Sequence, residues 1–180
     1  MAVRNRNWIV RIVLGALMAA LTCAATMVVS IPTPTKGYIN AGDCIVLLCG
    51  WLLGPVYGFL AAGIGSALSD VIYGYFLYAP ATFVIKGLTA LIAALLFAAF
   101  SGDKAPTLRR VIARVTSAVC GEAVMVLGYF VYEATILEYG LAAAAEMIGN
   151  GCQALFGIVV GTIFAEIIRR TGIQSKYFKW

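Results

Sequence analysis

The residues that could do chemistry in this chain are concentrated between Gly37 and Gly87. The stretch holds two apolar segments separated by Gly54-Pro55, and its polar residues lie at the ends of those segments. They are Tyr38, Asn40, Asp43, Asp70, Tyr73, Tyr75, Tyr78, Thr82 and Lys86. Ionisable groups are costly to keep in an apolar bilayer, and they usually mark a substrate or ion pathway there. The pattern therefore predicts a binding site.

The composition is that of an integral membrane protein. Hydrophobic residues make up 62% of the 180 residues and charged residues only 12%, whereas soluble domains average about 45–50% apolar and about 25% charged residues. The apolar runs are long and lack the alternation of a barrel strand, so the spans are predicted to be helices. We expect an all-α membrane protein in which residues 1–180 form one bundle.

Several kinds of chemistry are excluded or disfavoured by residue type. The chain has no His, which excludes imidazole metal ligands and His-based acid–base catalysis. Its five cysteines lie in apolar segments without a CxxC spacing, so we interpret them as small packing residues. They are Cys23, Cys44, Cys49, Cys120 and Cys152. We expect no catalytic residue, metal site or cofactor, and therefore no enzyme.

Six spans are predicted, at about residues 12–29, 42–53, 55–73, 81–100, 111–133 and 147–165, with a short acidic connection from Glu138 to Glu146 between the last two. The uncharged run 44–69 is short for two full spans and long for one, and Gly54-Pro55 interrupts it. A single kinked span is the alternative interpretation. The first span resembles a cleaved signal peptide in its basic start, but it is longer than a usual signal core and further spans follow.

The basic residues favour six spans. With six, every Lys and Arg except Lys36 and Lys86 lies on the side of both termini, and the positive-inside rule makes that side cytoplasmic. Five spans would place the basic loop 101–110 outside. The net charge of +5 then reflects topology rather than a surface for nucleic acid. We expect a multi-pass protein of the bacterial cytoplasmic membrane.

In this topology the polar residues gather in the outer half of the bundle. Spans five and six add further polar residues, at helical spacing, to those between Gly37 and Gly87. They are Glu122, Tyr129, Glu133, Asn150 and Gln153. We predict that the whole set converges on one outward-facing pocket below two loops, residues 30–40 and 74–80. For Lys86 and Glu122 we favour contact with the ligand.

Simpler interpretations of the same residues are a structural ion pair and an aromatic belt. Lys86 could pair with Asp70 or with Glu122, because an unpaired charge costs about 2.5–3.5 kcal/mol on insertion scales. The tyrosines could equally lie at the level of the lipid headgroups. The number of ionisable groups favours a site, since one structural pair needs only two.

A row of small residues on the first span suggests a contact with another helix. Ala16, Ala20 and Ala24 repeat every fourth residue, which leaves a smooth face where a second helix can approach closely. Packing within the bundle is the alternative.

Four motifs in this order resemble the substrate-binding S components of energy-coupling factor (ECF) transporters: GALMAALTCAA, GYINAGD, LLGPVYGFLAAGIGSALSD and YAPATFVIKG. The resemblance covers nearly the whole chain and is strongest between Gly37 and Gly87. There it is closest to the branch that includes carriers of riboflavin, hydroxymethylpyrimidine and pyridoxine.

The resemblance implies a division of labour between subunits. The S component would capture a vitamin from outside, while a separate membrane T component and two cytoplasmic ATPases would drive its release. Ala16 and Ala20 would face the T component, and loop 31–40 would close over the ligand. Release would involve toppling of the whole S component in the membrane.

The lysine, carboxylates, amides and tyrosines of the predicted site favour a ligand with a small, flat, polar ring. We expect hydroxymethylpyrimidine or pyridoxine as the first candidates and riboflavin as the next. The alternative function is a self-sufficient proton-coupled transporter of a small polar solute, with Asp70, Lys86 and Glu122 as a relay. It is disfavoured because the two halves of the chain show no inverted repeat.

Overall fold

The computed structural model describes residues 2–33, 38–102 and 106–172, with the backbone alone for residues 2–7. Helices dominate this part of the chain, and a short antiparallel hairpin joins the first two. In chain order the elements are α1 (Ala2–Val28), β1 (Ser30–Pro32), β2 (Tyr38–Asn40), α2 (Asp43–Tyr73), α3 (Tyr78–Ser101), α4 (Thr107–Val131) and α5 (Ala144–Arg170). The prediction of a helical protein is confirmed.

In the described part of the chain, five helices are long and apolar enough to cross a membrane. Helices α1, α3, α4 and α5 are each longer than the span predicted for them. The predicted break at Gly54-Pro55 falls inside the longest of them, α2.

Helix α2 is interrupted at Gly54, where the chain turns back on itself. Gly54 has φ 81° and ψ −176°, a conformation that is open to glycine but not to other residues. A Cβ on Gly58 would lie 2.7 Å from the carbonyl oxygen of Cys49, whereas nine residues of continuous helix span about 13 Å. Segments 43–53 and 55–73 therefore pack against each other as a helical hairpin.

The first half of α2 forms the centre of the molecule. Every residue from Asp43 to Gly54 is buried, as expected for a helix that is apolar on all sides. Neighbouring helices approach it closely: a Cβ on Gly50 would clash with the carbonyl oxygen of Ala90 in α3. The end of this segment next to Gly54 is held to α4 by Trp51, whose Nε1 donates to Ser117 Oγ at 3.1 Å.

The structure corrects two predicted connections. Helix α3 already begins at Tyr78, so the loop before it is three residues shorter than the predicted loop 74–80. Pro80 is tolerated in the first turn of α3 because backbone N–H groups there have no partner within the helix. The predicted acidic connection from Glu138 to Glu146 is also too long. A π-helical turn, Tyr132–Ile136, and a 3-10 turn, Gly140–Ala143, lead directly into α5, which contains Glu146.

The loop after α1 contains no helix among its described residues, as predicted. Strands β1 and β2 pair in antiparallel register, with Ile31 opposite Ile39 and Pro32 opposite Tyr38. Residues 34–37 at its tip, including Lys36, lie outside the described residues.

Several residues behind the predicted orientation are also outside the description. They are Lys104, Lys176 and Lys179, together with the side chains of Arg4 and Arg6. The cytoplasmic position of both termini therefore stays a prediction.

Candidate functional site

A polar cavity lies at the end of the bundle that carries the β1–β2 hairpin. It encloses about 490 Å³ of empty space, a figure that includes the solvent at its open mouth. Its interior is narrow. The wall is formed by Thr26, Tyr38, Asn40, Ser66, Asp70, Tyr75, Tyr78, Thr82, Lys86, Tyr129, Glu133, Glu146, Asn150 and Gln153.

Most residues of the predicted site meet in this wall, although α1, α2, α3, α4, α5 and β2 all contribute to it. Three predicted residues do not line the cavity: Asp43, Tyr73 and Glu122. Asp43 and Glu122 lie buried behind the wall, and Tyr73 lies outside it beside the hairpin.

A chain of hydrogen bonds connects the cavity floor to the hairpin. The ammonium of Lys86 donates to Asp43 Oδ1, and Gln153 Nε2 donates to Asp43 Oδ2 at 2.5 Å. Gln153 Oε1 in turn accepts from the backbone N–H of Asn40 in β2 at 2.7 Å. Lys86 is 2% exposed and Asp43 1%, so the pair is shielded from water. The buried ion pair of Lys86 is therefore made with Asp43, and neither Asp70 nor Glu122 takes that place.

Glu122 lies against this pair. Its carboxylate is 2% exposed, and neither oxygen has a hydrogen-bond partner among the described residues. The absence of a side chain at Gly157 makes room for it, because a Cβ there would lie 2.8 Å from Asp43 Cβ and 3.2 Å from Glu122 Oε1. Two carboxylates thus share the surroundings of one lysine.

Tyrosines form one wall of the cavity. The rings of Tyr38 and Tyr75 lie 5.2 Å apart at 42°, and those of Tyr75 and Tyr78 lie 6.4 Å apart at 83°. These distances are typical of aromatic pairs. The cluster presents flat apolar surface next to polar groups, which suits a ligand with a planar ring.

Tyr38 connects the aromatic wall to a carboxylate. Its hydroxyl donates to Asp70 Oδ1 at 2.5 Å. Burial, and then the negative charge of Asp70, raise the pKa of Tyr38 above its usual value, so the phenol stays neutral and remains a donor. Tyr73 supports this arrangement from outside, because its ring packs edge-on against Tyr38 at 5.6 Å and its hydroxyl donates to the Met27 carbonyl at 2.7 Å.

Two carboxylates in the wall have an oxygen without a partner in the described part of the chain. They are Asp70 Oδ2 and Glu133 Oε2; both residues are 3% exposed. Glu133 Oε1 accepts a long bond of 3.4 Å from the Tyr78 hydroxyl. The Thr82 hydroxyl, which accepts from Tyr129 at 3.0 Å, lies beside Asp70.

Sequence reasoning missed three wall residues, Thr26, Ser66 and Glu146. Ser66 lies one helical turn before Asp70, a spacing that could have revealed it. Glu146 is predicted to lie in the connection before the last span, but it belongs to the first turn of α5. Thr26 lies in an uncharged span and carries no signal of its own.

The alanine row of α1 faces away from the bundle. Ala16, Ala20 and Ala24 are exposed, while Met18 and Thr22 on the other side of the helix are buried. Within the described residues, the row is therefore not used for packing inside this chain.

A second charged cluster lies at the opposite end of α4 and is separate from the cavity. Glu166 accepts hydrogen bonds from Arg114 at 3.3 Å, Arg169 at 2.6 Å and Arg170 at 3.0 Å. Arg114 is 1% exposed and lies over the ring of Phe97. The cluster fastens α4 to α5.

Comparisons with known proteins agree with this architecture. Residues 6–170 match the family model of the ECF-type riboflavin transporter S component. The chain is 39% identical over 146 residues to an uncharacterised protein in the gap 3′ region of Pyrococcus woesei, a match that covers 81% of this chain and 92% of the relative. A solved structure described as the S component of a bacterial ECF transporter is similar in fold, with a TM-score of 0.59 and 18% identity over 90% of this chain and 95% of that one.

The chain belongs to the ECF-type riboflavin transporter S component family. It is therefore a multi-pass membrane protein, and membership supports a vitamin-binding transport subunit, a class that is non-catalytic. The resemblance inferred from the four sequence motifs is confirmed.

Proposed function

We propose that this protein is the high-affinity vitamin-binding subunit of an ECF-type ATP-driven importer, and that its ligand is a flat heteroaromatic vitamin or vitamin precursor. The observation that carries the proposal is the cavity of buried polar residues beside a wall of tyrosines at one end of an apolar bundle. Polar side chains are rare within membrane spans unless they serve such a purpose.

Two observations rank the candidate ligands differently. The family model is described as a riboflavin transporter S component, which favours riboflavin. The narrow interior of the cavity favours the smaller rings of hydroxymethylpyrimidine and pyridoxine. Each has a planar ring for the tyrosines and polar substituents for the carboxylates and amides.

The partners follow from the family and from α1. We propose that a membrane T component docks on the row Ala16, Ala20 and Ala24, since exposed small residues let helices approach closely. Two cytoplasmic ATPases would supply the energy, because the chain contains no ATPase motif. The β1–β2 hairpin would close over the bound vitamin.

The proposed topology has six spans, with both termini in the cytoplasm. It is supported by the reversal of α2 at Gly54: Asp43 at the start of α2 contacts Lys86, and Asp70 near its end lines the same cavity as Lys86. Both ends of α2 thus lie on the side of the cavity, which we place outside the cell.

The test is ligand binding followed by transport. Purified protein should bind one compound from a vitamin panel without ATP, and vesicles should accumulate that compound only when the T component and the ATPases are present. Uptake by the protein alone that collapses with an uncoupler would favour the proton-coupled transporter instead. No binding across the panel would overturn the proposal.

A further inference from the structure

Carboxylates outnumber cations among the described residues that line the cavity. The charged residues that line it are Asp70, Lys86, Glu133 and Glu146. The single ammonium among these described residues is already bound by Asp43, a further carboxylate, and Glu122 lies behind that pair. Among the described lining residues, an anion that enters therefore meets several carboxylates, and the one ammonium there is already bound by a carboxylate.

Two of these carboxylates are also short of hydrogen bonds. Asp70 Oδ2 and Glu133 Oε2 are buried and have no partner among the described residues, although buried carboxylate oxygens normally accept bonds. Leaving such an oxygen unsatisfied is costly. Both side chains line the cavity, so a bound molecule is placed to supply the missing donors.

We propose that Asp70 and Glu133 each accept a hydrogen bond from the ligand, and that the cavity therefore selects neutral or cationic molecules rich in donors and excludes phosphorylated or other anionic forms of the same compound. This inference rests on the proposed function and specifies the chemical class that the site accepts. A phosphate group adds nearly two negative charges at neutral pH, and like charges brought together across an interface are strongly unfavourable.

The test compares compounds that differ only by a phosphate group. Riboflavin, pyridoxine and hydroxymethylpyrimidine are each titrated against the purified full-length protein beside their 5′-phosphate or monophosphate. For the compound that binds, we expect the phosphorylated form to bind at least about 100-fold more weakly. Equal affinity for the two forms would overturn the inference and leave the proposed function standing, whereas binding of none of the six would overturn the proposed function itself.

Two isosteric variants separate charge from the bulk of the phosphate. Glu133→Gln and Asp70→Asn keep the shape of the side chain and remove a carboxylate. Each should lower the ratio of the affinity for the unphosphorylated compound to the affinity for its phosphate by about tenfold. The matched control is Glu138→Gln, because Glu138 is exposed and does not line the cavity; its ratio should equal that of the unaltered protein. A ratio that neither cavity variant changes would show that bulk alone excludes the phosphate, and would contradict the assigned role of the carboxylates. Thermal unfolding of each variant confirms that it is folded.

Discussion

The buried pair of Lys86 and Asp43 is the residue-level feature on which the cavity floor depends. Both side chains are almost inaccessible to water, and Gln153 satisfies the second oxygen of Asp43 at 2.5 Å. Removal of one partner of such a pair leaves a buried charge without compensation, which typically costs about 3–5 kcal/mol.

We therefore expect Lys86→Met to lower the thermal stability of the protein and to weaken vitamin binding by about 2 kcal/mol or more. The double variant Asp43→Asn with Lys86→Met should recover stability without recovering affinity, because it removes the stranded carboxylate but not the missing cation. Thermal unfolding in detergent and ligand titration measure the two effects. Unchanged stability in the single variant would show that the pair is not formed.

Glu122 tests how deep the ligand reaches. From the sequence alone, Lys86→Ala and Glu122→Ala are each expected to weaken binding by about 2 kcal/mol or more. Since Glu122 lies behind the wall next to Asp43, we expect a smaller loss for Glu122→Ala than for Lys86→Ala. Equal losses in titrations of the two variants would mean that the ligand reaches the deeper carboxylate.

At the level of elements, the turn at Gly54 decides the number of spans. If α2 is a hairpin that begins and ends outside, the exposed residue Val56 lies near the cytoplasmic surface. A single cysteine introduced as Val56→Cys in a background without the native cysteines should then react with a membrane-impermeant maleimide in inside-out vesicles and not in right-side-out vesicles.

The opposite labelling pattern, or a cysteine that reacts in neither type of vesicle, would contradict the six-span topology. The control is a cysteine in place of Val131, which is exposed at the end of α4 on the cavity side and should show the reverse preference.

The alanine row makes a prediction that separates binding from transport. Ala16→Leu or Ala20→Leu adds bulk to an exposed face that contributes nothing to the cavity, so vitamin affinity should be unchanged. Transport should be abolished, because the T component can no longer approach. The matched control is Ala98→Leu, an exposed alanine of α3, which should affect neither. A loss of both properties in the α1 variants would mean that this face packs inside the protein.

Sequence reasoning succeeded for the elements whose signals are local. The break at Gly54-Pro55 is visible because glycine and proline act on their own backbone, and the polar residues of α2 and α3 stand out against apolar neighbours. The partner of a buried charge could not be predicted in the same way. Lys86 binds Asp43 rather than Asp70 because of how α2 and α3 pack, and no spacing along the chain determines that packing.

Connections were harder to predict than helices. The sequence predicts Tyr78 in an aromatic loop and Glu146 in an acidic connection, yet both lie in the first turns of helices. Tyr78 also donates a hydrogen bond to Glu133 at 3.4 Å, a tertiary contact between α3 and the end of α4 that no spacing along the chain predicts.

At the scale of the whole molecule, an apolar bundle carries its polar groups in two places with different purposes. The carboxylate of Glu166 binds three arginines and joins α4 to α5, whereas Asp70 and Glu133 in the cavity at the other end each retain a carboxylate oxygen without a partner among the described residues. This contrast between a carboxylate with three cationic partners and carboxylates with an unpartnered oxygen is the physical basis for placing the ligand in the cavity.

The most direct test of that placement is native mass spectrometry of the full-length protein, purified from cells grown with riboflavin, pyridoxine and hydroxymethylpyrimidine in the medium. We predict a complex with one vitamin molecule for each protein chain, and loss of that bound mass in the Lys86→Met variant. An unaltered, folded protein that carries no vitamin and takes up none when the three compounds are added would contradict the account.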